Sequence, residues 1–123
     1  MHLPPETYAT VLKIEQELAQ FKTALIAWLT QVRINPKKFP NYYDALLAPC
    51  QEAIAILLKP EAEEHAIRKA IDSLHGHAGG LFRLLENMES EFDQRAPEAL
   101  YHLKDAIFKN TILLKTWLEN YSL

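Results

Sequence analysis

The residues best able to do chemistry crowd into one stretch, His65 to Gly80. On a helix turning about 100° per residue, His65, Arg68, Asp72, His75, Gly76 and Gly79 form one strip. That strip lies roughly 130° from the centre of the apolar stripe Ile67, Ile71, Leu74, Ala78 and Leu81. It is expected to face solvent, with His75 at the edge nearest the core. Asp72 and His75 are three residues apart and can touch. A solvated face with a weak Asp–His pair is the plainest reading. Metal binding finds little support, because the chain contains no Glu-x-x-His of the kind used in di-metal helix bundles. His75 and His77 are two residues apart, so on a helix they diverge by about 200°. Nucleophilic hydrolysis has no Gly-x-Ser-x-Gly and no paired base. Cys50 stands in an apolar stretch and reads as a small packed hydrophobe rather than a reactive thiol.

The glycines need a separate account. The chain has only three, Gly76, Gly79 and Gly80. Each costs about 1 kcal/mol relative to alanine inside a helix. They can end the helix, with Gly79 or Gly80 as its cap, or allow two helices to pack closely. Alternatively they keep a surface bare so that a partner's backbone can approach.

The elements that must position this strip are all helical by their apolar period. Val11, Ile14, Leu18, Phe21, Leu25, Trp28 and Val32 predict one long helix over about 6–33, ended by Asn35-Pro36 and Phe39-Pro40. A second helix is expected from about Tyr42 to Leu58, with Leu47, Cys50, Ile54 and Leu57 inward and Pro49 restarting or kinking it. Pro60 is expected to open the third, followed by Glu61, Glu63 and Glu64 where carboxylates favour a helix N-terminus. A fourth carries Leu85, Met88 and Phe92 and ends near Gln94-Arg95. Pro97 starts the last, with Leu100, Leu103, Ile107, Leu114, Trp117 and Tyr121 on its core side. Short connections imply antiparallel neighbours. The fold class is therefore all-α, an up-and-down four-helix bundle with an additional or extended N-terminal helix, in a single domain over 1–123. Leu18, Phe21, Leu25, Ile54, Ile71, Leu74, Ala78, Leu114 and Leu118 are expected in one core. Trp28 and Trp117 fall on apolar stripes and belong to that core by default.

Composition narrows the partners. The formal net charge is −3 and the densest basic cluster is the pair Lys37-Lys38. A nucleic-acid surface needs more than that. A lone cysteine excludes an internal disulfide framework and fits a reducing compartment. Met1-His2-Leu3-Pro4-Pro5 lacks the pattern of a signal peptide, and no apolar run approaches the length of a membrane helix. A cytoplasmic location is expected, with no cofactor, metal, nucleic acid or membrane.

The stretch Ile67-Arg68-Lys69-Ala70-Ile71-Asp72-Ser73-Leu74-His75-Gly76-His77-Ala78-Gly79-Gly80-Leu81 resembles the signature of histidine-containing phosphotransfer (HPt) domains. Ser73, Leu74, Gly76, Ala78, Gly79 and Leu81 stand where that signature has supporting residues. Asp72 occupies the place of the phosphorylatable histidine, and His75 that of the lysine one turn later. Phe82 stands where the signature has a further glycine. The resemblance extends more loosely over residues 41–121. It implies a degenerate member that is not an enzyme, a pseudo-phosphotransfer module docking a response-regulator receiver domain or a histidine kinase. The docking residues would be Arg68, Asp72, His75, Gly76 and Gly79. One alternative is a genuine phosphorelay intermediate with His75 as phospho-acceptor in a register shifted by three; His65, two turns away, has no motif around it. The other is a structural or oligomer-forming bundle outside signalling.

Overall fold

The structure, a computed structural model, describes residues 2–33 and 39–121, with residues 39–44 described by backbone alone. Among the described residues there are five helices and no strand: α1 (Pro5–Gln31), α2 (Phe39–Leu57), α3 (Glu64–Gly79), α4 (Leu81–Phe92) and α5 (Glu98–Tyr121). None is long and apolar enough to cross a membrane.

Local chemistry explains most of the boundaries. Pro5 opens α1, where its missing N–H costs nothing, and Glu6 supplies a carboxylate in the first turn. That helix stops at Gln31, two residues short of the expected end, and Arg33 takes a left-handed conformation at φ 56°. The expected Asn35-Pro36 stop lies outside the described residues. The second helix runs unbroken through Pro49, so it does not restart there as one reading expected. Pro60 does not open α3. It lies in a turn, and the helix begins only at Glu64, with Glu63 as its extended N-cap. Asp93, left-handed at φ 52°, closes α4 right after Phe92, ahead of the expected Gln94-Arg95. Aspartate tolerates that conformation better than most residues.

Between α3 and α4 stands one residue, Gly80, whose backbone stays right-handed at φ −78° and ψ −12°. Its N–H donates to His77 O at 3.0 Å, and its carbonyl accepts from Leu84 N at 3.1 Å. The helical path therefore continues with one tightened turn, and α3 and α4 act as nearly one rod.

Packing closes a ring: α1 lies against α2 and α5, and α3 lies against the same two helices. Along α5, Phe108 meets Gly79, Thr111 meets His75 and Lys115 meets Asp72. Rising numbers on one helix match falling numbers on the other, so α3 and α5 are antiparallel. The buried Asn110 amide donates to the buried Glu17 carboxylate at 2.7 Å, tying α5 to α1. Trp28 meets Phe92 edge-on with centroids 5.6 Å apart, joining the ends of α1 and α4.

All nine residues expected in the core are buried in one cluster drawn from every helix. Leu47, Cys50, Ile54 and Leu57 face inward on α2, and Trp28 is buried. Leu103 and Trp117 are only partly buried. Tyr121, expected on the core side of α5, is 52% exposed and stacks on Trp117 instead.

Candidate docking surface

The strip read from the sequence forms on the outer face of α3. Asp72, Gly76 and Gly79 are exposed, while His75 is half-buried at the flank that meets α5. This is the order that the helical phase requires, because His75 is nearest the apolar stripe. His65 is exposed two turns below and lines a groove between α2 and α3.

The three glycines separate by what a side chain would meet. A Cβ on Gly76 would have no neighbour within 4 Å. On Gly79 it would touch the Phe108 ring at 3.6 Å, an ordinary contact. On Gly80 it would sit 2.8 Å from a Leu46 methyl and 3.3 Å from the His77 carbonyl. So Gly80 serves the close approach of α2 to the α3–α4 junction, and Gly76 leaves open space above the helix. None of the glycines is left-handed. The cap of α3 is thus Gly80 in a right-handed conformation, not the left-handed glycine cap common at helix ends.

The Asp72–His75 pair allowed by spacing gives way to contacts with α5. Lys115 Nζ donates to Asp72 Oδ1 at 2.8 Å. Hydrogen bonding to that carboxylate, then its charge, holds the Lys115 ammonium above its ordinary range. His75 Nδ1 lies 3.2 Å from Thr111 Oγ1, and its ring stacks on Phe108 with centroids 5.1 Å apart. Arg68 pairs with Glu64 one turn earlier, at 2.8 Å. His77 Nδ1 donates to the Ser73 carbonyl at 2.7 Å.

Farther along the same face stands Phe82, 44% exposed, with Lys104 Nζ 4.7 Å from its ring centroid and Tyr101 edge-on to it. Ile112, also exposed, continues the face on α5. Sequence reasoning missed the α5 contribution, above all Thr111, which is 1% exposed. A signal existed: Thr111 falls in the apolar register of Ile107, Leu114 and Leu118, where a hydroxyl needs a partner.

Among the described residues, no group of three or more His, Cys, Asp or Glu is placed to hold a metal ion. No family model, curated protein or solved structure matches the chain.

Proposed function

We propose that this chain is a non-catalytic, HPt-like signalling module. Through the outer face of α3 it docks the receiver domain of a response regulator, or a histidine kinase, in two-component signalling. A cytoplasmic site of action goes with that reading. The observation that carries it is Gly76: a residue unfavourable in a helix stands where nothing packs, so no internal contact accounts for it. Helical packing around the strip, and the match of Ser73 to Leu81 with the phosphotransfer signature, support the same reading.

Asp72 in the acceptor position argues for docking without transfer. Its carboxylate is engaged by Lys115, and a phosphoryl group placed there would form an acyl phosphate, not a phosphoimidazole.

Incubation with a phosphorylated receiver domain tests this. The expected result is a complex with no phosphate transferred to this chain. Gly76→Arg should keep a normal melting temperature and lose at least tenfold in affinity, about 1.4 kcal/mol. Acid-labile, base-stable label on this chain, abolished in His75→Ala, would replace the proposal with a true relay through His75. Unchanged binding by Gly76→Arg would move the docking surface elsewhere.

A further inference from the structure

The hydrogen bonds around His75 fix where its ring proton lies. Thr111 has one hydroxyl hydrogen, and Oγ1 donates it to the Phe108 carbonyl at 2.6 Å. A carbonyl oxygen only accepts, so that hydrogen is committed. The 3.2 Å contact between His75 Nδ1 and Thr111 Oγ1 then requires Nδ1 to be the donor. In the neutral ring the proton is therefore on Nδ1, and Nε2 carries a lone pair. No hydrogen bond among the described residues reaches Nε2, and no buried side-chain nitrogen among them lacks a partner. Among the described residues, then, nothing is bonded to Nε2. Stacking on Phe108 fixes the plane of the ring.

The surroundings make that nitrogen legible to a partner. Gly76, the next residue, leaves space for an approaching backbone. Asp72, one turn earlier on α3, and Lys115, one turn beyond Thr111 on α5, are paired with each other at 2.8 Å, which leaves the imidazole outside that pair.

Resting on the docking reading, we infer that His75 is a specificity-determining residue of this face. Through Nε2 it accepts a hydrogen bond from an N–H or O–H of the docked partner.

Nitrogen-15 NMR of the free chain's imidazoles at pH 8 tests the first step without a partner. The expected spectrum places the His75 proton on Nδ1, and Thr111→Val should shift it toward Nε2. A wild-type ring protonated mainly on Nε2 overturns the inference. The second step compares receiver binding at pH 8 for the wild type, His75→Gln, whose amide oxygen keeps an acceptor, and His75→Phe, which has none. His75→Phe should lose at least fivefold in affinity and His75→Gln should retain most of it. Equal affinity in the wild type and His75→Phe sinks this inference alone. Failure of the wild type to bind any receiver at pH 8 sinks the docking reading, and this inference with it.

Discussion

Alanine at Gly76 should stabilise the protein, whereas alanine at Gly80 should not. At Gly76 the backbone is helical, and the new methyl meets nothing within 4 Å. The substitution removes a helix-interior glycine and should stabilise by up to about 1 kcal/mol. For a protein of this size that is a rise of roughly 3–5 °C in Tm. At Gly80 the methyl would lie 2.8 Å from Leu46 Cδ2 and 3.3 Å from the His77 carbonyl. Leu46 can swing its methyl aside, but it is packed against the core, and the carbonyl belongs to the helix backbone. Overpacking of this kind costs about 1–3 kcal/mol. Set against a helix-propensity gain of up to about 1 kcal/mol, the net change runs from about zero to about 3 kcal/mol of destabilisation. Urea unfolding followed by circular dichroism measures both, provided the m-value is unchanged. A loss of stability in Gly76→Ala would mean that something occupies the space above α3, and the bare-surface reasoning would fail. A Gly80→Ala protein as stable as Gly76→Ala would refute the close approach of α2.

The remaining expectations are simpler. Leu74 is fully buried, so Leu74→Ala should cost about 2–5 kcal/mol in the same unfolding assay; a change below 1 kcal/mol would contradict the packing. Glu89 accepts hydrogen bonds from the Tyr101 hydroxyl and, at 2.8 Å, from Ala96 N–H, and these two, in that order, hold its carboxyl below the usual glutamate range. Its contribution is therefore present above the ordinary glutamate value and lost as pH falls through the depressed one, so Glu89→Gln should flatten the acid limb of the stability profile. Burial first, and Glu89 second, push the Tyr101 phenol up to about 12; ultraviolet titration of Tyr101→Phe should delete a tyrosine that ionises above the ordinary tyrosine range, and loss of one within that range would be the contrary result. Burial likewise pushes the Cys50 thiol up to about 12, so a thiol reagent at pH 8 should leave the native protein unmodified and label it fully in denaturant.

The helices themselves were legible in the chain. Apolar residues at steps of three and four named the buried face of every helix, because that face depends only on the period of one element. The phase of α3 likewise set Asp72, Gly76 and Gly79 outward and His75 at the margin. Element ends were less legible. Pro60 carries a helix-start signal but stands in a turn, since proline fixes its own φ without obliging the residues after it to coil. Tyr121 keeps the apolar register of α5 yet is exposed and stacks on Trp117, which periodicity alone does not reveal.

What only the tertiary structure decided was the set of partners across helices. Spacing allowed Asp72 to touch His75, but the antiparallel register of α3 and α5 brings Lys115 to the first and Thr111 to the second. The same register places Phe108 under the imidazole and brings the Thr111 hydroxyl, bonded within α5 to the Phe108 carbonyl, to His75 Nδ1. The distinction among the glycines was also tertiary. Gly76 and Gly80 are the same residue in right-handed backbone, and the position of Leu46 on another helix, closer than the His77 carbonyl, makes one of them a packing glycine. Period is a property of one helix; register between helices emerges when their side chains interdigitate in the core.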